Sequence, residues 1–294
     1  MIIDVHTHTP THRTAVPPDE NVVNTMWRPD RPVRATCTWS DFHDAMAPVD
    51  CAIVFLIAPG PNQTPFAATG LASDPTANVN DLTAEFVRSR PDKLIGFLSV
   101  HPLARDALDE IERGVHALGM RGIKLGPNYQ NFDPLCAEAR AVYARAQALG
   151  LPMLFHQGTS PIRDAPIRYA HPLLMDEIAT AFPEVRIVMA HMGHPWQADT
   201  ITVIRKHPHV YADVSALFYR PWSYYHAMRL ATEWNVLHKL LLGSDFPITT
   251  PAETIDHLRK VNQLVGVSGL PQVPQDALEA IIHRDSLSLL GITH

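Results

Sequence analysis

Short apolar runs recur along the chain, separated by polar loops and by longer stretches with a helical spacing. Several of the runs are apolar throughout, as in IVFLI at 53–57 and MLF at 153–155. This pattern is typical of parallel strands that are buried on both faces. Eight runs are predicted to form strands: Met1–Val5, Cys51–Ile57, Leu94–Val100, Gly122–Leu125, Pro152–Phe155, Arg186–Ala190, Val210–Val214 and Lys239–Leu242.

Helices are predicted between these strands. In Asp106–Leu118, the residues Leu108, Ile111 and Val115 fall on one face because they are three or four positions apart. Four further stretches have helical character: Pro134–Leu149, Leu173–Phe182, Pro251–Leu264 and Gln275–Leu290. Strands that alternate with helices predict an α/β protein with a parallel sheet. Eight strands in 294 residues fit one (β/α)8 TIM barrel, a single domain over residues 1–294.

Two stretches interrupt this repeat. Residues 10–48 contain six prolines and no clear periodicity, and residues 58–80 are rich in Pro, Gly, Asn and Thr. Loops of this length are typically lids or binding loops, so residues 10–48 are a candidate lid. Two tryptophans and three arginines of this loop suit a flat anionic substrate or, alternatively, an oligomer contact or plain surface. They are Trp27, Arg28, Arg31, Arg34 and Trp39.

Residues able to bind a metal or move a proton stand at the ends of several runs. In a parallel barrel the active site lies at the carboxyl ends of the strands. These positions carry His6, His8, Lys124, His156, His191, Asp213 and Asp245. Since alternate side chains of a strand point the same way, His6 and His8 are expected to face the barrel axis together. With His156 and Asp245 they form a ligand set that suits Zn²⁺, with Fe²⁺ or Mn²⁺ as alternatives.

Some of these residues have competing interpretations. A single histidine at a strand end is more often a hydrogen-bonded structural residue than a ligand, so the metal prediction depends on several of them coinciding. Asp213 is interpreted either as a site residue or as a hydrogen-bond acceptor on the barrel rim. His101, in a His-Pro pair after the third run, equally suits the start of a helix.

Composition narrows the class of partner. The formal net charge is −6, the sequence pI is about 6.3 and no long basic run occurs, which argues against nucleic acid and anionic membranes. No apolar stretch approaches the ~20 residues of a membrane span, and Asp4 and His6 interrupt any signal-peptide pattern. The three cysteines, Cys37, Cys51 and Cys136, form no CxxC pair, which indicates reduced thiols and a cytoplasmic location. The expected partner is a small molecule.

Seven motifs follow one another between residues 2 and 292: IIDVHTH, GIKLGPNYQ, LFHQG, AHMGHPW, YADVSA, LLGSDFP and RDSLSLLGI. Together they resemble the amidohydrolase superfamily. The narrower resemblance is to its amidohydrolase-2 branch, which includes aminocarboxymuconate-semialdehyde decarboxylase, aromatic-acid decarboxylases and pyrone-dicarboxylate lactonase. The resemblance implies a distorted (β/α)8 barrel and a metal held by His6, His8, His156 and Asp245. It also implies that Asp245 accepts a proton and that His191 contacts the substrate or the metal-bound water.

The chain departs from this pattern at two places. Many relatives read KLHP where this chain reads Lys124-Leu125-Gly126-Pro127, so Gly126 removes an imidazole from the rim. Some decarboxylases of the branch begin with Glu-x-His, whereas this chain has His-x-His. In binuclear relatives a strand-four lysine, the position of Lys124 here, takes up carbon dioxide and bridges two metals. The branch is usually mononuclear, so one metal is favoured. Lys124 is then expected to anchor a substrate carboxylate or donate a proton, or alternatively to pair with a barrel acid.

The favoured function is hydrolysis of a small carboxylated lactone, amide or ester through a metal-activated water. Asp245 is predicted to move the proton and His191 to stabilise the developing oxyanion, while Lys124, Arg220 and His194 are predicted to contact the substrate. The main alternative is non-oxidative decarboxylation of an aromatic or unsaturated acid.

Two further alternatives are less favoured. The first is a phosphoesterase or nuclease, but enzymes of that kind on this fold use a glutamate near strand four, where this chain has Lys124. The second is a non-catalytic metal-binding protein. Aromatic residues after the seventh strand suit either a ring-shaped acid or the interface of a homodimer, which is the expected assembly. They are Tyr219, Trp222, Tyr224 and Tyr225.

Overall fold

Eight parallel strands form the wall of a barrel in the computed structural model, which describes residues 1–60 and 78–293. The strands of the described chain are β1 (Ile3–His8), β2 (Val23–Asn24), β3 (Val33–Arg34), β4 (Cys51–Phe55), β5 (Leu94–Gly96), β6 (Ile123–Leu125), β7 (Met153–Phe155), β8 (Ile187–Met189), β9 (Val210–Asp213) and β10 (Leu240–Leu241). β2 and β3 form a separate antiparallel pair. The other eight strands correspond to the eight predicted runs, mostly with shorter bounds.

The barrel wall is made of two parallel sheets, one in the order β1-β4-β5 and the other running in sequence from β6 to β10. On one side, the Val5 N–H donates to the Leu242 carbonyl at 2.9 Å and joins β1 to the chain leaving β10. On the other side, the Leu98 N–H donates to the Gly122 carbonyl at 2.9 Å, between β5 and β6. These bonds close the ring, so the predicted (β/α)8 barrel is confirmed.

Helices surround the barrel wall. Those of the described chain are α1 (Trp39–Ala45), α2 (Val79–Val87), α3 (Ala107–His116), α4 (Ala137–Leu149), α5 (Leu174–Ala181), α6 (Gln197–Lys206), α7 (Pro221–Glu233), α8 (Pro251–Arg259), α9 (Gln275–Ile282) and α10 (Ser286–Leu289). The helix expected over Gln275–Leu290 is two helices, because the Asp285 carboxylate accepts from the Ser288 N–H and starts a new one. The helix expected over Pro251–Leu264 ends at Arg259 and is followed by a 3-10 turn.

The hydrophobic core has two layers on either side of the strands. Val5, Ile53, Phe97 and Leu154 pack inside the barrel, and Leu290 from the chain's end joins them. The larger layer fills the space between strands and helices. Parallel strands covered on both faces need apolar side chains on both, which is why the runs in the sequence do not alternate. Among the described residues, no helix has the length and apolar character needed to cross a bilayer.

The first of the two long loops contains more regular structure than its sequence predicts. Residues 10–48, here the 10–48 loop, include the β2–β3 pair and α1, which begins with a capping box between Thr38 and Asp41. Backbone bonds from His12 to Cys37 and from Trp39 to His12 tie its two ends together. Most of the second loop, residues 61–77, lies outside the described residues, and α2 begins directly after it.

Candidate metal centre and active site

His6 and His8 lie within β1, although the strand was expected to end at Val5. The pairing of β1 with β4 shifts between Asp4 and Thr7, which marks a β-bulge. Val5 packs inside the barrel before the bulge, and His6 and His8 face the cavity after it. Because a bulge changes the alternation of side chains, two neighbouring residues can both point inward. Thr7 turns away and donates its hydroxyl to the Ile53 carbonyl at 2.7 Å.

Asp245 follows β10 and meets both of these histidines. Its Oδ1 lies 3.3 Å from Nε2 of His6 and 3.2 Å from Nε2 of His8. One ligand atom from each of the three residues lies within 4.8 Å of the other two, so a single cation fits among them. Gly243 allows this approach, since a Cβ at its position would lie 2.9 Å from the His6 Cβ. The prediction that His6, His8 and Asp245 come together therefore agrees with the structure.

The backbone of Asp245 is held in an unfavourable conformation. Its φ is 67°, in the left-handed region that residues with a Cβ rarely adopt. The Asp245 N–H donates to the His6 carbonyl at 2.8 Å, which fixes the residue against β1. His191 has a φ of 57°. Such strain is concentrated at functional sites, where the surrounding structure enforces it.

Asp213 orients the imidazole of His6. Its Oδ2 accepts from Nδ1 of His6 at 2.8 Å, which leaves Nε2 of His6 facing Asp245. A metal-binding histidine typically has its second nitrogen bound to a carboxylate in this way. His6, His191 and Asp213 form a second group whose possible ligand atoms lie close together. Hydrogen bonds within this group, described next for His191, account for the short distances. Asp213 thus contacts the site directly, in addition to any role on the barrel rim.

The hydrogen bonds around His191 determine its tautomer. The Ser215 hydroxyl lies 2.5 Å from Oδ1 of Asp213 and 2.8 Å from Nδ1 of His191. Since a hydroxyl has one proton and the carboxylate can only accept, Ser215 donates to Asp213 and Nδ1 of His191 donates to Ser215. Nε2 of His191 is then an acceptor. Burial lowers the pKa of His191 to about 4, so the ring is neutral at neutral pH.

His156 lines the same cavity but stands apart from the two groups of ligand atoms. Its Nε2 donates to the Thr159 carbonyl at 3.3 Å, and its ring centroid lies 4.5 Å from that of Tyr129 and 5.1 Å from that of His191. Burial places the pKa of His156 well below the usual range. Its assignment as a metal ligand stays a prediction. His101 is buried away from the cavity lining and donates to the Gln130 carbonyl at 2.8 Å.

Lys124 is a buried cation on the cavity wall. Its side chain is 1% exposed, and Nζ lies 4.5 Å from the centre of the Phe55 ring. Burial lowers the pKa of Lys124 to about 7, against the opposing charges of Asp213 and Asp245. Among the described residues no carboxylate forms an ion pair with it, so the interpretation as a partner of a barrel acid is not supported. The ammonium is available to a ligand in the cavity.

A cavity of about 780 Å³ opens above these residues. We call His6, His8, His156, His191 and Asp245 the inner ring, and the cavity-lining residues of the 10–48 loop the outer wall. The outer wall includes Asp19, Glu20, Met26, Trp27 and Thr36.

Two predicted substrate contacts, Arg220 and His194, also line the cavity. The Arg220 guanidinium stacks on the Tyr219 ring at 4.6 Å. His194 accepts from the Gln197 amide at 2.8 Å on Nδ1, so its Nε2 carries the proton.

Of the two interpretations of the three arginines and two tryptophans of the 10–48 loop, the one in which they cover the substrate is not supported for four of them, because only Trp27 among the five lines the cavity. Arg28 is 2% exposed, and its guanidinium donates to both carboxylate oxygens of Asp30 at 2.7 and 2.6 Å. Arg31 pairs with Glu253 at 2.6 Å. A guanidinium that is already paired with carboxylates stabilises the loop, and few of its N–H groups remain to bind a ligand.

The other two residues of that set also lie elsewhere. Arg34 is exposed, and the Trp39 ring packs on Phe86 at 5.2 Å. Tyr224 and Tyr225, after the seventh barrel strand, are buried in the core between strands and helices, so they do not form part of an exposed aromatic rim.

Gln157 and Tyr129 line the cavity, although the sequence did not single them out. Gln157 is completely buried, and among the described residues neither its amide oxygen nor its amide nitrogen has a hydrogen-bond partner. Such a group is costly unless a ligand or water satisfies it. The available signal was its position, directly after the strand-end residue His156 in LFHQG.

A family model described as amidohydrolase matches residues 3–292, which is nearly the whole chain. The chain belongs to the amidohydrolase family. Three solved structures are similar to this chain in fold. An uncharacterised TIM-barrel protein from Bordetella bronchiseptica has a TM-score of 0.69 and 18% identity, over 99% of this chain and 98% of that one.

The other two structures carry the names of enzymes. A probable 2-pyrone-4,6-dicarboxylic acid hydrolase from Acinetobacter baumannii, with citric acid bound, has a TM-score of 0.62 and 15% identity over 99% of both chains. A dihydroxybenzoic acid decarboxylase from a Polaromonas species, with bound manganese, has a TM-score of 0.67 and 16% identity over 99% of this chain and 96% of that one. At these identities the likeness shows the barrel fold. Hydrolases and decarboxylases both use it, so the comparison leaves the reaction of this amidohydrolase open.

Proposed function

We propose that this amidohydrolase is a metal-dependent hydrolase of a small carboxylated lactone, amide or ester. One observation carries the proposal: Oδ1 of Asp245 lies 3.2–3.3 Å from Nε2 of both His6 and His8, on the floor of an open cavity. This arrangement combines a cation site with a carboxylate positioned to move protons. The reactive end of a substrate has room directly above it.

The residues present fit one divalent cation. Two imidazole nitrogens and a carboxylate oxygen are typical zinc ligands, and the hydrogen bond from His6 to Asp213 is the support such a ligand usually has. We propose Zn²⁺ with His156 as the fourth ligand, and Mn²⁺ or Fe²⁺ as alternatives. A cation at this position supplies an acidified water and polarises a carbonyl group.

Asp245 and His191 are the proposed proton carriers. Burial raises the pKa of Asp245, but hydrogen bonds from His6 and His8 outweigh it and hold this pKa well below the usual range. The carboxylate is therefore ionised at neutral pH, and its Oδ2 accepts the proton of the attacking water. His191 presents an unprotonated Nε2, so we propose that it accepts a hydrogen bond. The oxyanion role expected from the sequence needs the opposite tautomer.

Lys124 and Arg220 are the proposed anchors for the substrate carboxylate. Lys124 lies beside the inner ring with no carboxylate paired to it among the described residues, and Arg220, which is partly exposed, also lines the cavity. We propose that Gln157 forms a hydrogen bond with a carbonyl or carboxylate group of the substrate, because its buried amide has no other partner in the described chain.

Metal removal tests the proposal. Purified protein is stripped with a chelator and reloaded with Zn²⁺ or Mn²⁺, and proton release is followed with a panel of carboxylated lactones and esters. We expect the rate to fall by about 100-fold or more on stripping and to return on reloading, with about one ion per chain. A stripped protein that keeps its full rate contradicts a metal-dependent mechanism.

Decarboxylation is the second candidate, and Lys124 is the observation that favours it. A buried ammonium with a pKa of about 7 is a suitable acid to protonate a carbon from which carbon dioxide has left. Incubating the metal-loaded protein with dihydroxybenzoates and muconate-like acids, and measuring carbon dioxide, separates the two reactions. Carbon dioxide release without lactone opening would replace the proposed hydrolase by a decarboxylase.

A further inference from the structure

Strand β1 changes the face that it turns to the inside of the barrel between Val5 and His6. Ile3 and Val5, two positions apart, pack inside the barrel, and His6 and His8, also two positions apart, face the cavity. In an uninterrupted strand His6 and His8 would lie on the face opposite to Val5, because successive side chains alternate. The bulge in β1 is therefore what brings both imidazoles into the cavity.

The side chain of Asp4 supports this bulge. Two residues of β1, Val5 and His6, stand opposite the single residue Ile53 of β4. Such an extra residue disturbs the regular ladder of backbone hydrogen bonds. The His6 N–H donates to Oδ1 of Asp4 at 3.1 Å, and this bond to the N–H two residues later is an Asx turn. Because a buried N–H without an acceptor is costly, the carboxylate of Asp4 stabilises the bulged backbone.

The same oxygen of Asp4 also holds the segment that carries Asp245. The Ser244 N–H donates to Oδ1 of Asp4 at 2.9 Å, and both residues are completely buried. The next N–H, that of Asp245, donates to the His6 carbonyl at 2.8 Å. One carboxylate oxygen thus joins the backbone of His6 to the backbone directly before Asp245.

Asp4 acts on the candidate metal centre only through these neighbours. It lies outside the described lining of the cavity and belongs to neither group of candidate ligand atoms in the described chain. Its contacts with the centre are the two backbone N–H groups of His6 and Ser244. A group in this place cannot bind the cation, but it can decide where the ligands of the cation stand.

We propose that Asp4 is a positioning residue of the metal centre. By binding the bulge of β1 and the segment before Asp245 with one oxygen, it directs His6 and His8 into the cavity and sets their distance from Asp245. This inference rests on the metal centre of the proposed function and adds a residue that acts on the cation without contacting it. The acceptor oxygen at this position is what matters, and the volume of the side chain alone does not replace it.

Two substitutions separate the acceptor from the volume of the side chain. Asp4→Asn keeps an oxygen that can accept both N–H groups, whereas Asp4→Leu has a similar size and no acceptor. The Zn²⁺ affinity of the stripped protein is measured by competition with a chromogenic chelator. We expect Asp4→Asn to bind within about threefold of the wild-type protein and Asp4→Leu to bind about 10–100-fold more weakly, as for other residues that orient metal ligands. Equal losses in both variants, or no loss in Asp4→Leu, overturn the inference.

A matched control distinguishes positioning from a general loss of stability. Leu290→Ala removes apolar contacts inside the barrel and leaves the hydrogen bonds of Asp4 in place, so it should lower Tm and keep the Zn²⁺ affinity. The absorption spectrum of the Co²⁺-loaded protein reports the geometry of the ligands. It should be that of the wild type in Leu290→Ala and Asp4→Asn, and altered in Asp4→Leu. If Leu290→Ala weakens binding as much as Asp4→Leu does, the inference is wrong.

Asp4→Ala replaces Asp4→Leu in every measurement if the leucine variant does not fold. The asparagine variant is also a test by itself, since a loss of Zn²⁺ affinity of about tenfold or more in Asp4→Asn contradicts a role that only an acceptor oxygen requires.

Hydrogen exchange at the amides of His6 and Ser244, followed by NMR without metal, separates this inference from the proposed function. We expect slow exchange in the wild type and in Asp4→Asn, and exchange at least about tenfold faster in Asp4→Leu. Unchanged exchange in Asp4→Leu overturns the inference. If exchange changes as expected but the protein takes up no cation, the support of the bulge by Asp4 stands and the proposed metal-dependent function falls. If a cation binds equally well in every variant, the metal centre stands and the positioning role of Asp4 is wrong.

Discussion

The inner ring and the outer wall form one cavity, but they are built in different ways. The inner ring comes from the ends of barrel strands, where backbone hydrogen bonds such as Asp245 N–H to the His6 carbonyl fix each residue. The outer wall comes from the 10–48 loop, whose position depends on side chains. The buried guanidinium of Arg28 joins it to Asp30, to Glu253 and to the ring of Tyr219 at 4.9 Å. The inner ring is thus set by the fold, whereas the outer wall is set by a few polar contacts.

This difference predicts that changes in the inner ring affect chemistry and metal binding, while changes that release the outer wall affect stability and substrate binding.

The largest effect is expected for Asp245→Asn. The amide keeps the shape of the carboxylate but removes its charge and its capacity to accept a proton, so we expect kcat to fall by about 1,000-fold. The metal content, measured by elemental analysis, should fall as well. Asp256→Asn, on the exposed face of α8 beside Lys260, is the control and should leave both unchanged. A normal rate in Asp245→Asn would refute the proposed mechanism.

A smaller effect is expected for Asp213→Asn, which acts on the metal through His6. Without the carboxylate that accepts the hydrogen bond from Nδ1 of His6, metal binding should weaken by roughly 10–100-fold. Competition with a chromogenic chelator measures this change. Asp199→Asn, a partly exposed aspartate of α6, is the control. Unchanged metal affinity in Asp213→Asn would show that Asp213 supports the barrel rim and not the metal centre.

The third prediction concerns the outer wall. Arg28→Met removes the guanidinium and leaves Asp30 and Glu253 without their shared partner, so we expect the free energy of unfolding to fall by about 1–2 kcal/mol. Urea denaturation measures this loss. Arg34→Met in the same loop replaces an exposed arginine and should change stability by less than about 0.5 kcal/mol. Metal affinity should be unaffected in both, and a loss of metal in Arg28→Met would contradict the independence of the two regions.

The smallest effect is expected for Arg220→Ala. Because Arg220 is only partly buried and shares the carboxylate with Lys124, its removal should raise KM for a carboxylated substrate about fivefold and change kcat little. Arg259→Ala, which removes an exposed ion pair with Glu279, is the control. An unchanged KM would remove Arg220 from the list of substrate contacts.

The sequence predicted the barrel and the residues of its inner ring because both depend on local pattern. Continuous apolar runs identified the eight strands, and the rule that function lies at strand ends selected His6, His8, His156, His191 and Asp245. The bulge in β1 was not predictable, since it appears only when β1 and β4 are paired. The tautomer of His191 likewise depends on Asp213, the last residue of β9, and on Ser215, which follows it.

The outer wall shows the limit of the sequence more clearly. Arg28, Arg31 and Arg34 were interpreted either as contacts for an anionic substrate or as surface and oligomer contacts, because the sequence does not say which anion each arginine binds. In the structure Glu253 and Asp30 are those anions for Arg28 and Arg31. Gln157 was overlooked for a related reason, because a buried amide without a partner is recognised only after every neighbouring group is known.

By itself the sequence determined the order of strands and helices, the residue types at the strand ends and, through them, a likeness to a family of metal-dependent enzymes. The tertiary structure decided which candidate ligands come together, which arginines are already neutralised and which buried polar groups of the cavity have no partner among the described residues. The physical reason is the distance along the chain over which each property is set. The periodicity of apolar residues depends on near neighbours in sequence. Ion pairs and hydrogen bonds can join groups more than two hundred residues apart, as for His6 and Asp245.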